Sequence, residues 1–435
     1  MTGMRHALAI SVGKAARWAT MRRGGGSAAP GLVAERIDPG FLRATLGDLP
    51  YGVVVVSGTN GKTTTTKIVV ELLQSQGLRV FTNRTGSNFS RGVVASLLGE
   101  VDRRGRLAAD IAVLELDEAH AISFIAAVPP RYSLLLNVMR DQLDRFGEID
   151  HTARLLHKIA AATQDTVVVN GDDPRIGVPA FAADLTATVR TFDTDPSLHR
   201  LFPSDDALYS DTAEDLPTAP TGPPIDADDT RLVSIEDHTA VFGFAGQAHT
   251  VQLQLEGVHN YLNAAAAIGL TRAVVGDRLD TPALLRALAA VKPAFGRGET
   301  IMVDGQPVEL VLVKNPAGFR LSLASFDPTG VATMIVINDD YADGRDVSWL
   351  WDVGFERLRD SGVAMVSGHR CWDMALRLHY DQVGFEAVQE ERKPALDAFL
   401  AAHPEGRKRI FVTYTVMLQI RDLLGERAYV EARVS

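Results

Sequence analysis

Short, mostly apolar runs alternate with helical stretches along the first two thirds of the chain. The clearest lie at 53–56, 111–116, 133–138 and 167–170. Runs of this length that are rich in β-branched residues are typical of strands buried on both faces. Strands that alternate with helices favour a mostly parallel, doubly wound α/β sheet.

The same alternation begins again after residue 300. Apolar runs at 308–313, 331–338, 364–366 and 409–414 are each followed by a polar loop or a helical stretch. The pattern therefore predicts a second α/β domain of the Rossmann-like kind. We expect a basic, helical leader over 1–45, a central domain over 46–300 and a C-terminal domain over 301–435, with a loop at 293–299.

One stretch of the central domain has a different composition. Residues 193–229 are rich in Pro, Asp, Thr and Ala, which predicts a loosely ordered acidic insertion. Short alternating segments between 231 and 255 predict β-hairpins that follow it.

A small-residue turn follows the first apolar run and opens a helix that extends to about Gly77. This order of strand, turn and helix directs backbone N–H groups and a helix N-terminus at an anion. Lys62 can reach the β- and γ-phosphates of a nucleotide, and the hydroxyl of Thr63 can bind Mg²⁺. Val56 stands where the usual P-loop has a glycine, so the match is to a shorter variant. The candidate nucleotide-binding residues here are Gly58, Thr59, Asn60, Gly61, Lys62, Thr63 and Thr64.

Glu115 lies near the end of the apolar run 111–116. Ligands of parallel α/β sheets bind at the carboxyl ends of the strands. We therefore expect Glu115 to complete a Mg²⁺ shell with Thr63. The alternative is that it is a charged residue that merely ends a strand.

Composition excludes several classes of protein. A chain of 435 residues with a net charge of −10 is long enough for two or three domains and lacks the basic footprint of a nucleic-acid-binding protein. One cysteine, Cys371, rules out internal disulfides and a thiolate zinc cluster. No apolar stretch is long enough to span a bilayer. The basic segment 1–28 is compatible either with an amphipathic helix on an anionic membrane surface or with a helix docked on the first domain.

Five stretches resemble motifs of the Mur ligase superfamily and, within it, of the MurT branch. They are residues 58–63, 141–147, 257–263, 314–318 and 343–349. The resemblance implies a Mur-ligase-like central P-loop domain and ATP-driven activation of a carboxyl group. It also implies that Asn260 and Asn263 contact the adenine or ribose, and that Arg297 reaches the phosphates or sugar across a cleft between the domains.

The MurT resemblance implies a substrate, a partner and a role for Asp346. The substrate is lipid II, whose D-glutamate is amidated to D-isoglutamine through an acyl-phosphate, in the cytoplasm at the inner face of the membrane. Ammonia would come from a separate glutaminase subunit, GatD, whose Cys-His pair Asp346 would complete. The alternative for Asp343, Arg345 and Asp346 is a network of ion pairs within the loop. Relatives that carry a zinc ribbon need four cysteines, so no structural zinc is expected here.

Departures from the general Mur pattern bear on the nucleophile. Gln142 replaces a common His, Lys158 is two positions away from the register of a carbamylated lysine, and Lys314 stands where Mur ligases have His. These changes favour ammonia over a free amino acid as the nucleophile. Two alternatives stay open: a conventional amino-acid-adding Mur or folylpolyglutamate-type ligase, and a non-catalytic nucleotide-binding scaffold.

Overall fold

Two α/β units, each built on its own sheet, make up the described part of the protein. The computed structural model describes residues 2–22, 28–83, 89–102, 104–140, 149–202, 227–255, 257–292, 297–340 and 343–426. Within these residues the strands between 53 and 252 form a nine-stranded sheet, and those between 297 and 412 form a six-stranded sheet. The predicted fold class, a mostly parallel P-loop domain followed by a second α/β domain, is confirmed.

The first sheet has the strand order β2-β3-β1-β4-β5-β6-β7-β8-β9. Its strands from β2 to β7 run parallel, and β7, β8 and β9 form an antiparallel meander. The bounds are β1 Val53–Ser57, β2 Val80–Thr82, β3 Ile111–Glu115, β4 Tyr132–Leu135, β5 Thr166–Asn170, β6 Thr188–Thr194, β7 Thr230–Glu236, β8 Thr239–Phe244 and β9 Gln247–Gln252.

Helices cover both faces of this sheet because successive side chains of a strand point to opposite sides. In β1, Val54 and Val56 pack into one core, while Val53 and Val55 pack into the other. The helices are α1 Thr2–Arg22, α2 Ala28–Ile37, α3 Phe41–Leu46, α4 Lys62–Ser75, α5 Ser90–Glu100, α6 Glu118–Ala127, α7 Ile149–Ala162, α8 Pro179–Ala182, α9 His259–Val275 and α10 Thr281–Ala290. Two 3₁₀ turns lie at Pro196–Leu201 and Gly276–Arg278.

The second sheet has the order β10-β11-β15-β12-β13-β14, with only β10 antiparallel to its neighbour. Two cores again lie on its two faces. The elements are β10 Arg297–Val303, β11 Gln306–Leu312, α11 Pro316–Ser325, β12 Val331–Val336, β13 Val363–Ser367, α12 Cys371–Tyr380, β14 Phe385–Gln389, α13 Arg392–Ala402, β15 Arg407–Val412 and α14 Tyr414–Gly425. Two 3₁₀ turns lie at Ser348–Asp352 and Glu356–Leu358.

The N-terminal helix packs on the first domain, which is the second of the two alternatives for this segment. Ala9 and Ile10 are buried in the same core as α3 and α5. The Lys14 ammonium donates to the Val101 carbonyl at 2.7 Å, and His6 Nδ1 lies 2.8 Å from Asp38 Oδ2. Residues 2–22 are therefore an integral layer of the domain. Among the helices that the structure describes, none is both long and apolar enough to cross a bilayer.

Two predicted loops contain regular structure. The expected loop at 293–299 is a strand from Arg297 onward, because residues 297–303 find their backbone partners in β11. The expected acidic insertion at 193–229 begins with ordered residues: Asp193 pairs with Arg231 at 2.7 Å, and Asp195 accepts the N–H of Ser197. Residues 203–226 of that insertion, and the motif 141–147, lie outside the described residues.

Candidate active site

Three strand ends meet at one edge of the first sheet. The register pairs Val56 of β1 with Glu115 of β3, and Ser57 with Leu135 of β4. The turn 58–61 leaves this edge and runs directly into α4, whose first turn consists of Lys62 and threonines. The sequence motif is thus located at the carboxyl edge of the sheet, where α/β proteins bind their ligands.

The turn has the close backbone packing of a phosphate cradle. Gly58 and Gly61 have φ values of +132° and +87°, which disfavour any residue with a Cβ. A Cβ at Gly61 would also lie 2.5 Å from Oδ1 of Asn263. The two glycines are therefore required both by the backbone conformation and by the space around it.

Asn137, which follows β4, fastens the turn to the sheet. Its Oδ1 accepts the Asn60 N–H at 2.9 Å, and its Nδ2 donates to the Asn60 carbonyl at 3.1 Å. The N–H of Thr59 also donates to the Asn137 carbonyl, at 3.0 Å. Sequence reasoning missed this residue; the available signal was an amide side chain directly after a predicted strand.

The Lys62 ammonium is buried and held inside the turn. It donates to the carbonyl oxygens of Gly58 and of Thr59, and it lies 3.5 Å from Oε1 of Glu118. Glu118, at the start of α6, is itself only 3% exposed. This carboxylate balances the lysine charge and was not assigned a role from the sequence, although it lies three residues after Glu115.

Thr63 and Glu115 come together as the sequence predicts. The Thr63 hydroxyl donates to Oε1 of Glu115 at 2.9 Å. Asn83, which follows β2, clamps the Glu115 backbone by accepting its N–H at 3.0 Å and donating to its carbonyl at 2.8 Å. A hydroxyl and a carboxylate are hard oxygen donors, which Mg²⁺ prefers, and two protein ligands leave room for phosphate oxygens and water. The pair therefore fits a magnesium site.

Helix α9 brings Asn260 and Asn263 to the same place. Nδ2 of Asn263 donates to Oδ1 of Asn260 at 3.1 Å, and both residues are buried. Asn263 lies against Gly61 and lines the cleft beside the phosphate turn, and Asn260 lies behind it as its hydrogen-bond partner. The backbone of Arg297 belongs to β10, but its side chain is outside what the structure describes, and its predicted role stays a prediction.

The second domain reaches into this site with two residues that follow β11. Nδ2 of Asn315 donates to Oδ1 of Asn60 at 2.9 Å, and the Lys314 ammonium lies 3.4 Å from the Thr59 carbonyl. Oδ1 of Asn315 also caps α11 by accepting the Gly318 N–H at 2.8 Å. Between the domains is a cleft lined by Asn60, Gly61, Thr64, Asn263, Lys314, Gly318 and Ser322. The sequence predicted that 314–318 mattered but not that it contacts the phosphate turn.

Asp346 is separate from this cluster, near the surface of the second domain. It is partly exposed, and its Oδ1 accepts the Ser348 N–H at 2.8 Å. Asp343 is buried instead and bonds to the backbone N–H and hydroxyl of Thr415. Burial is the main reason why the pKa of Asp343 is raised, and the nearby Asp340 adds to it. Cys371 is fully buried, and burial raises the pKa of its thiol, which suits a packing residue rather than a nucleophile.

No group of three or more His, Cys, Asp or Glu side chains able to hold a metal ion occurs in the described ranges. The Thr63–Glu115 pair offers two oxygen ligands and would share a metal ion with a bound nucleotide.

Comparisons with known families agree with this arrangement. The family model described as Mur ligase middle domain matches residues 56–271, and the one described as MurT ligase C-terminal matches residues 312–417. The first match begins at the end of β1, just before the phosphate turn, and ends within α9. The second begins at the end of β11 and includes Lys314, Asn315 and Asp346.

Curated relatives carry both domains in the same order. The MurT subunit of lipid II isoglutaminyl synthase (glutamine-hydrolyzing) from Streptococcus pneumoniae is 29% identical, over 98% of this chain and 99% of its own length. The Staphylococcus aureus subunit of the same name, from strain COL, is 27% identical over 89% and 90%.

Solved structures share the fold. MurF ligase from Thermotoga maritima in complex with ADP superposes with a TM-score of 0.65 at 19% identity, over 90% of this chain and 84% of that chain. A folylpolyglutamate synthase from Mycobacterium tuberculosis, with ADP and AMPPCP, superposes with a TM-score of 0.61 at 17% identity, over 88% and 94%. The two family-model matches and the curated relatives show that the chain belongs to the Mur ligase superfamily and, within it, to the MurT branch.

Proposed function

We propose that the chain is the ATP-dependent amidoligase subunit of a lipid II isoglutaminyl synthase. It would amidate the α-carboxyl group of the D-glutamate residue in lipid II and so contribute to peptidoglycan synthesis. Support comes from the names of the curated relatives, which match over nearly the full length of both chains. The substrate's lipid anchor would put the reaction at the cytoplasmic face of the membrane.

The observation that carries this proposal is the pairing of the phosphate turn with Thr63 and Glu115. A carboxylate is a poor electrophile, and phosphorylation converts it into a good one. A carboxylate oxygen of the substrate attacks the γ-phosphorus of ATP. The bond between this phosphorus and the β-phosphate oxygen breaks, ADP departs, and the substrate carries an acyl-phosphate. The lone pair of ammonia then attacks the acyl carbon, phosphate departs with the bonding electrons, and a proton is lost to give the amide.

The residues described above suit the first of these steps. Lys62 and the N-terminus of α4 supply positive charge toward the phosphates. Thr63 and Glu115 would hold Mg²⁺, which when bound offsets the negative charge that develops on the transferred phosphoryl group. Asn60 and Asn137 hold the turn in shape, so the site needs little rearrangement when nucleotide binds.

Ammonia must be supplied from outside this chain. The only cysteine is buried at the start of α12, and the relatives are named as subunits of a glutamine-hydrolyzing enzyme. A separate glutaminase subunit, the GatD of the MurT resemblance, would release ammonia from glutamine. Asp346, partly exposed, would orient and charge-balance the histidine of that partner's Cys-His pair.

The test is amidation by the isolated chain, supplied with lipid II, ATP, Mg²⁺ and a high concentration of ammonium salt. Mass spectrometry of the muropeptide should detect D-isoglutamine, and Lys62→Ala should abolish its formation. Lys67→Ala is the matched control, since Lys67 lies on the same helix but its ammonium bonds to the Lys292 carbonyl at the surface. ATP hydrolysis that depends on a free amino acid instead of ammonium would favour a conventional amino-acid-adding ligase. Amidation by the reconstituted pair that survives Lys62→Ala would favour a nucleotide-binding scaffold.

A further inference from the structure

Helix α1 has two apolar faces, and only one of them is buried in the first domain. Ala9 and Ile10 pack into the core that α1 shares with α5. On the other side of the helix, Leu8 and Trp18 are 54% and 60% exposed, and Val12 is 37% exposed. A helix that is apolar all round is normally buried all round. The exposed face of α1 therefore indicates a binding surface.

The exposed side chains form one continuous stripe. Arg5, Leu8, Val12, Ala15 and Trp18 follow one another at intervals of three and four residues, and each of them is exposed. Side chains at this spacing lie on the same face of an α-helix. We call these five residues the outer stripe. It consists of four apolar side chains with an arginine at the N-terminal end.

The surroundings of the outer stripe are basic. Residues 1–34 contain five Lys or Arg and no Asp or Glu, although the net charge of the whole chain is −10. Two further arginines, Arg104 and Arg106, are exposed on either side of Gly105, which packs against His6 and Ile10 of α1. Positive charge therefore collects along the N-terminal half of α1.

Acidic side chains next to α1 do not cancel this charge. Three of them already have basic partners at 2.8, 2.9 and 3.7 Å: Asp38 with His6, Asp102 with Arg106, and Glu35 with Arg91. Glu100 is exposed at the end of α5, where the Lys14 ammonium donates to the Val101 carbonyl at 2.7 Å. The surface around the outer stripe thus keeps an excess of positive charge.

This combination favours an anionic lipid surface over a protein partner. Helices that lie in a membrane interface carry Leu and Trp on the side that enters the lipid, with Lys or Arg around them. A second copy of this chain would meet the outer stripe with the same basic residues in a twofold interface, and the like charges would oppose that contact. Lipid phosphates complement these charges, and acyl chains complement the apolar side chains.

The position of α1 connects this surface with the candidate active site. Helix α5, which packs against α1, begins at Ser90, shortly after Asn83, which holds Glu115 at the carboxyl edge of the first sheet. Because α5 has 11 residues, it is about 16 Å long. A membrane that contacts α1 would therefore lie close to the edge that carries the phosphate turn.

We propose that the outer stripe of α1, together with Arg104 and Arg106, is a surface that binds anionic phospholipid. The helix would lie parallel to the bilayer, with its inner face still packed on the domain and the outer stripe at the boundary between headgroups and acyl chains. The proposal goes beyond the function proposed above, because it concerns where the chain resides and not which reaction it carries out.

Vesicle flotation of the full-length chain tests the proposal and needs neither nucleotide nor muropeptide. The unmodified chain should float with vesicles that contain phosphatidylglycerol and should not float with phosphatidylcholine alone, and high salt should release it. Each basic residue near an anionic surface contributes about fivefold in affinity. Arg5→Glu reverses one such charge, and Leu8→Glu places a charge in the apolar stripe, so each should weaken binding by about tenfold or more.

Each variant has a control of the same chemistry. Met302→Glu matches Leu8→Glu, since Met302 is also 54% exposed but belongs to β10 of the second domain. Arg286→Glu matches Arg5→Glu, since Arg286 is exposed on α10, which packs on the opposite face of the first sheet. Both controls should bind vesicles like the unmodified chain.

Amidation assays separate the lipid surface from the chemistry. With ammonium salt and lipid II in detergent micelles, Arg5→Glu and Leu8→Glu should amidate like the unmodified chain. With lipid II in phosphatidylglycerol vesicles, both should lose amidation at low vesicle concentration and regain it when more vesicles are supplied. If the unmodified chain fails to amidate in detergent as well, the proposed function is wrong, and the vesicle-binding result is judged by itself.

Two results would overturn the lipid proposal. One is that the unmodified chain does not bind phosphatidylglycerol vesicles, or that Arg5→Glu binds them unchanged. Arg5→Glu alters only an exposed side chain, so its result counts even where Leu8→Glu lowers the unfolding temperature. The other is a dimer in analytical ultracentrifugation that Leu8→Glu converts to monomer while vesicle binding stays the same; the outer stripe would then join two copies of this chain.

Discussion

The two sheets end in edges that are built differently. At the carboxyl edge of the first sheet, side chains from neighbouring strand ends bond to each other: Asn137 holds Asn60, and Asn83 holds Glu115. At the corresponding edge of the second sheet, Lys314 and Asn315 extend across to the other domain, and Asp346 binds a surface turn. The first edge is a network within one sheet, whereas the second edge makes its contacts with the other domain and with a surface turn.

The first edge lies in the part of the chain that matches the Mur ligase middle domain, and the second edge lies in the part that matches the MurT ligase C-terminal model. Phosphate binding needs a backbone held in one shape, and the closed network supplies it. On the second edge, Lys314 and Asn315 contact that network, whereas Asp346 binds a turn of its own domain. Substitutions at the first edge, or at the residues of the second edge that contact the phosphate turn, should therefore affect every reaction of the protein, whereas a substitution at Asp346 should affect only some.

The largest effect is expected for Glu115→Gln. Loss of the negative charge should weaken Mg²⁺ binding and lower amidation by about a thousandfold with either nitrogen source. Steady-state rates at several Mg²⁺ concentrations provide the measurement. Glu100→Gln, at the exposed end of α5, is the control and should leave rates unchanged. Equal activity of Glu115→Gln and the unmodified chain would show that Glu115 is not a ligand of the metal ion.

Asp346→Asn should lower amidation with glutamine but not amidation with ammonium salt. Under the proposed function the partner's histidine would lose its charge partner, so glutamine-dependent amidation should fall by about a hundredfold. Ammonium-dependent amidation should persist, because Asp346 is separate from the phosphate turn. Asp360→Asn, exposed in the same domain, should change neither rate. Loss of both reactions in Asp346→Asn would contradict the comparison between the edges.

Asn315→Ser tests the bridge between the edges. Serine can still cap α11, but it cannot reach Oδ1 of Asn60. We expect kcat/KM for ATP to fall by about tenfold with both nitrogen sources. The reason is that the second domain is no longer positioned against the phosphate turn by the Asn315–Asn60 hydrogen bond. A double-mutant cycle with Asn60→Ala should show coupling. Strictly additive losses would mean that the hydrogen bond is incidental.

The smallest expected effect is the contribution of Asp343 to the pH dependence of the free energy of unfolding. Because the pKa of Asp343 is raised in the folded state, the folded protein holds this proton to a higher pH than the unfolded chain does. The stability that this group contributes is present below its unfolded pKa and is lost as the pH rises through its folded pKa.

Asp343→Asn removes that dependence. The variant should gain stability relative to the unmodified chain as the pH rises from about 4.5 to 7.5, since the amide carries no charge to desolvate. Urea unfolding followed by tryptophan fluorescence suits the measurement, because Trp349, Trp351 and Trp372 all lie in the second domain. A pH-independent difference between the two proteins would show that Asp343 does not titrate in this range.

The sequence predicted the first edge well because its signals are local. Four valines in a row and the Gly-Thr-Asn-Gly-Lys-Thr turn determine β1, the turn and α4 with little help from the rest of the chain. The position of Glu115 beside Thr63 could be predicted because Glu115 ends a buried strand, and parallel sheets bind their ligands at the carboxyl ends of the strands.

The contacts that complete the site could not be predicted from local sequence signals. Asn83, Asn137 and Glu118 act through residues that are distant in sequence, and only the strand order brings them together. β10 was missed for the same reason: Arg297-Gly298-Glu299 is typical of a turn, and its strand conformation comes from pairing with β11.

The burial of Cys371, the only cysteine of the chain, makes the protein insensitive to thiol reagents in its folded state. A cysteine introduced at an exposed position of each domain would then provide the two sites for a pair of fluorescent labels. Energy transfer between such labels would report, in single molecules, whether the cleft above the phosphate turn closes when nucleotide enters.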